Sequence, residues 1–411
     1  MSGHFKASKI SDNVHWVGAI DWTIRDFHGY STPRGTTYNS YLITGEKNIL
    51  IDTVKKPYWD EMMSRISSVI DPRKIDIIIS NHAEMDHSGS LPETVKFIQP
   101  EKVLASVKGV EALTDQLHPD FHIESVADGQ KMGFGNFELD FMETRMIHWP
   151  DSMFTFMTGE NILFSQDAFG MHYATYERFD YELDDSVLKW EAAKYFANIV
   201  MLFAPVIKKI IDKVIQTGWP IRLIAPDHGP IWKRDIGNII DQYNRWCTHK
   251  PTNKAVIVFD TMWNSTSLMA RVIGEGIRTG GMKAKLLPLS VLQRADIATE
   301  ILDSGALLVG SPTLNRLMFP TVADTLNYLK GLKPINLVAG AFGSYGWSGE
   351  AATDIHETLK SMGLEVLPEP LKFKFVPDDA ALEKCFSWGL EVAEAMKVSC
   401  DRERGCDVGR I

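Results

Sequence analysis

The residues best suited to chemistry lie in one short segment, His82-Ala83-Glu84-Met85-Asp86-His87. Two imidazoles and two carboxylates there can bind a metal ion. Imidazole and carboxylate together suit zinc, iron or manganese, whereas the lack of cysteine in the segment argues against a structural zinc site. The apolar, β-branched run Lys74–Ser80 directly before it predicts a buried strand that delivers this loop to a site.

The same local pattern, a short apolar strand followed by a His or an Asp, recurs further along the chain. Its three occurrences are Leu139–Glu143 before His148, Asn161–Ser165 before Asp167, and Ile221–Ala225 before His228. One such His or Asp alone is usually a loop, core or capping residue. Four in succession predict that one sheet edge presents ligands from separate strands to a metal. The other histidines are predicted to be structural: His4, His15, His118, His122, His172, His249 and His356.

The order His-x-Glu-x-Asp-His, then His, Asp and His, resembles the metallo-β-lactamase fold, whose hydrolases usually carry His-x-His-x-Asp-His. With Glu84 in place of the second histidine, and with the residues around His148, the chain resembles the flavodiiron proteins from about Ile10 to about Met396. A carboxylate at this position adds negative charge and a hard oxygen ligand, which favours iron that reaches the ferric state over zinc.

The resemblance implies a ligand set for two irons. One iron takes His82, Glu84 and His148; the other takes Asp86 and His228; Asp167 bridges both. His87 matches a motif position that does not always ligate iron in this family, so its role stays open. By the same resemblance, His28 and Tyr195 lie near the irons without binding them and donate protons or hydrogen bonds to bound substrate. The alternative for both is ordinary packing.

The second half of the chain carries a different pattern. The apolar run Lys254–Asp260 predicts a buried strand, and a helix is predicted over Ser267–Thr279. Between them lie Thr261, Met262, Trp263, Asn264, Ser265 and Thr266. A hydroxyl-rich loop at a helix N-terminus is suited to a phosphate, and the lack of a Gly-Lys-Ser/Thr sequence argues against a triphosphate loop. The alternative is an ordinary capped helix.

Two more polar loops follow later predicted strands. Ala306–Gly310 is followed by Ser311 and then by Pro312, Thr313, Leu314 and Asn315. Asn336–Gly340 is followed by Ala341, Phe342, Gly343, Ser344, Tyr345, Gly346, Trp347 and Ser348. Ligands of open α/β sheets bind outside the carboxyl ends of the strands, so the three loops predict one pocket. The pattern resembles flavodoxin, which implies that the first loop holds the FMN phosphate, that the other two line the isoalloxazine, and that Trp347 flanks the ring.

Length and composition agree with two domains. A chain of 411 residues exceeds a single core. The predicted fold class is α/β, with a metallo-β-lactamase-like αββα sandwich as diiron domain over residues 1–250 and a flavodoxin-like, doubly wound parallel sheet as FMN domain over residues 254–397. Residues 398–411 are predicted to be a polar tail. The net charge of −10 argues against nucleic-acid binding, and four cysteines imply no disulfide framework.

The chain has no signal-like start and no apolar run near the length of a membrane span, so a soluble, cytoplasmic protein without membrane contact is expected. Cys400 and Cys406 do not form the two Cys-x-x-Cys pairs of a rubredoxin. An external electron donor is therefore expected, such as rubredoxin or a reduced deazaflavin.

The resulting hypothesis is a flavodiiron reductase, in which electrons pass from FMN to two iron ions that reduce dioxygen to water, nitric oxide to nitrous oxide, or both. The resemblance also implies a head-to-tail homodimer or a dimer of dimers. The main alternative is a dinuclear zinc hydrolase with an appended flavodoxin-like domain, acting through a metal-bound hydroxide. An electron carrier with a degenerate metal site is disfavoured because no ligand is missing.

Overall fold

The computed structural model describes residues 3–402, so Cys406 lies outside the described residues. The chain forms two compact units. The first extends to Tyr195 and includes Pro205–Asn244, and the second contains Phe196–Ala204 and the chain from Arg245 onward. The sequence did not indicate that the short segment Phe196–Ala204 belongs to the second unit.

Up to Thr248 the strands are, in chain order, β1 (Ser8–Lys9), β2 (Val14–Trp16), β3 (Ala19–Asp21), β4 (Asp26–Phe27), β5 (Tyr30–Ser31), β6 (Thr36–Tyr38), β7 (Tyr41–Ile43), β8 (Ile49–Ile51), β9 (Ile77–Ser80), β10 (Lys102–Ser106), β11 (Glu124–Val126), β12 (Lys131–Gly133), β13 (Glu138–Glu143), β14 (Met153–Met157), β15 (Ile162–Gln166) and β16 (Leu223–Pro226). The α-helices are α1 (Trp59–Ser67), α2 (Met85–Ser88), α3 (Leu91–Ile98), α4 (Val107–Leu117), α5 (Asp185–Tyr195), α6 (Ala204–Thr217) and α7 (Ile236–Thr248).

Two sheets build the first unit. One has seven strands in the order β1-β2-β7-β8-β9-β10-β11, and the other has five in the order β12-β13-β14-β15-β16. Successive side chains of a strand point to opposite faces. Ile77 and Ile79 of β9 therefore enter the core that also contains Phe141 of the five-stranded sheet, while Ile78 enters the core that contains Met63 of α1. The seven-stranded sheet thus has a sheet on one face and helices on the other.

The outer face of the five-stranded sheet is covered in the same way. Leu163 of β15 lies between the buried core residues Ile162 and Phe164, and its own side chain faces Ile211 of α6 and Tyr243 of α7. Helices therefore cover both outer faces. The predicted αββα sandwich is confirmed.

The second unit contains strands β17 (Lys254–Phe259), β18 (Lys283–Pro288), β19 (Ala306–Gly310), β20 (Val338–Tyr345), β21 (Glu365–Val366) and β22 (Leu371–Lys374). Its further helices are α8 (Ser265–Thr279), α9 (Arg294–Leu302), α10 (Pro320–Leu332), α11 (Glu350–Ser361) and α12 (Asp379–Arg402). The strand order is β18-β17-β19-β20-β21, with β22 also pairing with β20, and each of these pairings is parallel. This is the flavodoxin-like order, so the predicted doubly wound sheet is confirmed.

Some local predictions differ from the structure. Strand β20 continues to Tyr345, so residues 341–345, predicted as loop, are strand. They continue it because Ala341 and Phe342 are small or apolar and fully buried. Helix α12 continues to Arg402, so residues 398–402 of the predicted polar tail are helical, and residues 403–411 lie outside the described residues. None of the helices within residues 3–402 combines the length and apolar character needed to cross a membrane.

Candidate metal centre and flavin pocket

The first predicted ligand loop is held rigidly between the two sheets. It begins at Asn81, directly after β9. The backbone N–H and the side-chain Nδ2 of Asn81 donate to the two carboxylate oxygens of Asp52, at 2.7 and 2.9 Å. Its Oδ1 accepts from Thr155 Oγ1 of β14, at 2.7 Å. Because all three residues are buried, these bonds fix the positions from which His82 and Glu84 project.

Asp167, at the end of β15, lies at the centre of the site. Its Oδ2 is 2.9 Å from His148 Nε2 and 3.4 Å from His82 Nε2. Its Oδ1 is 3.6 Å from His228 Nε2 and 3.7 Å from His87 Nε2. The two oxygens of one buried carboxylate therefore face two different pairs of histidines.

Each pair of histidines has a second carboxylate. Glu84 Oε2 lies 2.9 Å from His148 Nε2. Asp86 Oδ2 lies 3.2 Å from His228 Nε2 and 3.4 Å from His87 Nε2. The structure thus brings together every predicted metal ligand: His82, Glu84, Asp86, His87, His148, Asp167 and His228. Each of these is buried except His148, which is partly buried.

The donor atoms fit metal ions. Both ring nitrogens of His82, both carboxylate oxygens of Asp86 and Oδ1 of Asp167 have no hydrogen-bond partner within residues 3–402 although they are fully buried. Buried polar atoms are nearly always hydrogen-bonded, so such a group of exceptions needs an explanation. Metal coordination supplies one, because each of these three residues offers a ligand atom to a group of His, Asp and Glu ligand atoms that lie within 4.8 Å of one another.

Neighbouring histidines lower the pKa of the buried carboxylates of the site. Burial would raise the pKa of Asp167, but the surrounding imidazoles of His82, His148 and His228 outweigh burial and hold that pKa well below its ordinary value. Burial opposes ionisation of Asp86 as well, and His87 and His228 again hold its pKa well below the ordinary value. Both carboxylates are therefore ionised, as ligands of a cation must be.

The second unit contains a wide pocket at the carboxyl ends of its strands. Its volume is about 1310 Å³, including the part open to solvent. The predicted residues that line it are Met262, Trp263, Ser265, Pro312, Thr313, Asn315, Ser344, Tyr345, Gly346, Trp347 and Ser348. Trp263 and Trp347 are 88% and 91% exposed, so two indole faces are available beside the pocket.

The remaining predicted flavin residues do not line this pocket: Thr261, Asn264, Thr266, Leu314, Ala341, Phe342 and Gly343. Thr266 Oγ1 instead bonds with Ser344 Oγ at 2.9 Å and so ties the first loop to β20. Asn264 has a φ of 65° and directly precedes α8. Three lining residues lie outside the predicted set, Arg316, Phe375 and Val376. The last two follow β22, a strand that the sequence analysis did not predict.

Comparison with known protein families supports the predicted fold of each half of the chain. The model of the ODP family beta lactamases matches residues 36–229, and the flavodoxin model matches residues 257–389. The nitric oxide reductase of Moorella thermoacetica is 43% identical over 93% of this chain and 97% of its own length.

Solved structures give the same result. The rubredoxin oxygen:oxidoreductase from Desulfovibrio gigas is 42% identical with a TM-score of 0.94, over 96% of this chain and 99% of that one. The flavodiiron protein from Giardia intestinalis is 33% identical with a TM-score of 0.94, over 97% and 99%. The chain belongs to the flavodiiron family.

In this flavodiiron protein an additional carboxylate, Asp227, faces the Nδ1 side of His82 and His87. Its Oδ2 is 3.4 Å from His82 Nδ1 and 3.8 Å from His87 Nδ1. A carboxylate in this position orients an imidazole so that the opposite nitrogen, Nε2, faces the metal. The sequence analysis placed Asp227 in the loop of His228 without giving it a role. Only the folded geometry shows that it faces two other histidines.

The loop that carries His228 in this flavodiiron protein is fixed by Asn39. Its Nδ2 donates to the carbonyls of Pro226 and Gly229, at 2.7 and 2.9 Å. Gly229 has a φ of +75°, and a Cβ there would lie 2.7 Å from Met171. A glycine is therefore required at this turn. His228 Nδ1 donates to Thr37 O at 2.6 Å, which leaves Nε2 free to face Asp86.

Three further residues surround the predicted metal ligands of this flavodiiron protein. His28 Nε2 lies 3.0 Å from Glu84 Oε1, and its side chain is 68% exposed. The ring of Tyr195 is buried 6.0 Å from that of His228. His172, predicted to be structural, is linked to the site, since Thr36 Oγ1 lies 2.9 Å from His172 Nδ1 and 3.2 Å from His228 Nδ1.

Proposed function

We propose that this flavodiiron protein is an oxidoreductase that reduces dioxygen to water, nitric oxide to nitrous oxide, or both, with electrons that pass from FMN to a diiron site. The observation that carries the proposal is the position of Asp167, whose two oxygens face two separate sets of histidine and carboxylate ligands. The names of similar proteins, nitric oxide reductase and rubredoxin-oxygen oxidoreductase, point to these gases as substrates.

The proposed ligands form two sets, one facing each carboxylate oxygen of Asp167. His82, Glu84 and His148 would hold one iron, Asp86 and His228 would hold the other, and Asp167 would be shared by both. We add His87 to the second iron, because its Nε2 converges with Asp86 and His228. Three carboxylates in the set favour iron over a metal that never changes charge. When bound, the irons supply electrons and open coordination positions for the gas.

Two side chains are placed to serve a bound substrate without binding metal. His28 is exposed on one side and contacts Glu84 on the other, so it can carry protons from solvent to the edge of the site. Burial raises the pKa of Tyr195 well above its ordinary value, and the charge of Asp167 adds to the effect. Its phenol therefore stays protonated and remains a hydrogen-bond donor.

The second unit is the proposed FMN domain. The N-terminus of α8 is suited to the phosphate because backbone N–H groups lie there together with the hydroxyl of Ser265, which lines the pocket, while Thr266 ties this turn to Ser344. The exposed indole of Trp347 is suited to flank the isoalloxazine. We propose that an external donor such as rubredoxin or a reduced deazaflavin supplies the electrons and that the chain acts as a head-to-tail homodimer. The cytoplasmic location stays a prediction.

The zinc hydrolase is not favoured. Glu84 stands where the hydrolases usually carry a histidine, and the matched relatives are named as oxidoreductases.

The proposal is tested by metal analysis, a visible spectrum and steady-state turnover on the purified protein. We expect about two irons and about one FMN per chain, together with consumption of dioxygen or nitric oxide in the presence of a candidate donor. Turnover measured separately with each gas decides between the two substrates. Stoichiometric zinc without flavin would contradict the proposal.

A further inference from the structure

Among the described residues that line the flavin pocket, Arg316 alone carries a charge. The other lining residues are apolar, aromatic, or polar without charge. The side chain of Arg316 is exposed, and within residues 3–402 it takes part in no ion pair or side-chain hydrogen bond. Its guanidinium is therefore available to a ligand of the pocket.

The backbone of Arg316 has a conformation that disfavours arginine. Leu314 and Leu317 exchange two backbone hydrogen bonds of 2.9 Å, and the two residues between them, Asn315 and Arg316, have φ of 52° and 65°. A left-handed φ at both central positions is the pattern of a type I′ turn, in which asparagine followed by glycine is preferred. Asn315 fits this preference, but Arg316 stands where glycine would be free of strain.

The strained turn points to a role for the side chain of Arg316. Residues other than glycine lose folding free energy in a left-handed conformation, and such residues cluster at ligand-binding sites. Glycine at this position would give the same turn without strain, but it would remove the charge from the pocket. The chain therefore keeps a cation in the pocket although that cation weakens the turn that carries it.

Arg316 is associated with the proposed site of the FMN ring and not with that of the phosphate. The phosphate is assigned to the N-terminus of α8, whereas Arg316 belongs to the loop after β19. A hydrogen bond from Ser348 lowers the pKa of Glu350, and the charge of Arg316 adds to the effect. Because Ser348 and Glu350 directly follow Trp347, the residue proposed to flank the ring, Arg316 interacts with that loop.

Reduction of FMN changes the charge of its ring and leaves the charge of its phosphate as it was. The isoalloxazine takes up two electrons, supplied by the external donor of the proposed function, together with one proton, and so gains one negative charge. A guanidinium is always protonated and attracts such a charge. It has no corresponding attraction to the neutral, oxidised ring.

We propose that Arg316 is a specificity-determining residue that makes the pocket prefer the reduced, anionic form of FMN over the oxidised form. The inference rests on the proposed FMN site and assigns to it the residue that distinguishes the two redox states. A pocket that binds reduced FMN more tightly also makes bound FMN easier to reduce. Arg316 should therefore raise the reduction potential of the bound flavin.

The test compares the dissociation constants of oxidised and reduced FMN for the full-length protein and its variants, with the reduced form measured without oxygen. Arg316→Gln removes the charge and should weaken binding of reduced FMN about tenfold, with little effect on oxidised FMN. The two-electron potential of bound FMN should then fall by about 30 mV. Arg316→Lys keeps a cation and should retain most of the preference.

Arg316→Gly separates the charge from the strain. It should lose the same preference as Arg316→Gln, but it should also raise the urea midpoint of unfolding, because glycine adopts a left-handed φ without strain. The matched control is Lys333→Gly, at an exposed lysine that ends α10 with a φ of 52° and does not line the pocket. This control should raise the midpoint too, but should leave the ratio of the two dissociation constants unchanged.

Four results would count against these assignments. An unchanged ratio in Arg316→Gln and Arg316→Gly would overturn the inference, and so would an equal change in Lys333→Gly, which would reveal a general effect of net charge. Equal weakening of oxidised and reduced FMN would place the guanidinium at the phosphate and would overturn it as well. A wild-type protein that binds neither form of FMN would overturn the proposed function, and this inference with it.

Discussion

The Nε2 atoms of His87 and His228 lie 3.1 Å apart, with the two rings inclined by 70°. Both nitrogens also lie within 3.4 Å of Asp86 Oδ2. Two imidazole nitrogens and one carboxylate oxygen thus converge on a single position, which is the arrangement that a shared metal ion requires. This convergence is the basis for assigning His87 to the second iron.

Replacing His87 tests that assignment. His87→Ala should lower the iron content from about two to about one per chain, because the second iron loses one of its nitrogen ligands. Elemental analysis and the visible spectrum measure the change. His122→Ala, at an exposed histidine, is the control and should keep the full content. Full iron loading in His87→Ala would show that His87 is not a ligand.

Asp167 should be essential for gas reduction at the metal site but not for FMN binding. Asp167→Ala removes the carboxylate that faces both ligand sets, so gas reduction should be abolished. FMN should remain bound and reducible, because the residues of the flavin pocket all lie beyond Lys254. Flavin fluorescence, anaerobic reduction and gas turnover measure these effects. Retention of full activity would show that Asp167 is not a bridge.

Asp227 should affect metal affinity without being a ligand. Asp227→Asn alters the group that faces Nδ1 of His82 and His87 but keeps the side-chain volume. Loss of such an orienting carboxylate typically weakens metal binding about 10- to 100-fold. Competition with a chelator measures the change, and Asp12→Asn, at a carboxylate that is 94% exposed, is the control. Equal metal retention in both variants would contradict the assigned role.

His249 should make stability depend on pH. Burial lowers its pKa from 6.5 to about 4. Between these values the unfolded chain takes up a proton that the folded protein does not, so the free energy of unfolding should fall as pH falls from 6.5 toward 4.

Urea unfolding at several pH values measures this decline. His249→Gln should make it shallower, by up to about 1.4 kcal/mol per pH unit. His4→Gln, at an exposed histidine, should leave it unchanged. An identical pH dependence in His249→Gln and the wild type would refute the assignment.

The ligand loops could be predicted from sequence because each follows a strand whose composition is distinctive. Ile77, Ile78 and Ile79 are β-branched and alternate between two cores, so the strand and the end from which His82 projects were both predictable. The role of Asp227 was not, because it depends on which ring nitrogen of another loop lies beside it.

The flavin pocket was likewise only partly predictable from the sequence. The loops after β17 and β19 were predictable from hydroxyl and Pro-containing segments that interrupt apolar runs. Ala341 and Phe342 were assigned to the pocket, but they continue β20, since hydrogen bonding to β19 extends as far as Phe342. Phe375 joins the pocket only because β22 pairs with β20 in parallel, a contact that no local pattern indicates.

The hydrogen bonds of Asn81 and Asn39 hold the ligand loops without using a single metal ligand side chain. The protein scaffold therefore holds these loops through hydrogen bonds that would remain after removal of the ions. A chelated chain should remain folded and should take up metal again without refolding. Assembly can then proceed in two independent stages, with the polypeptide folding first and the ions entering a site that is already formed.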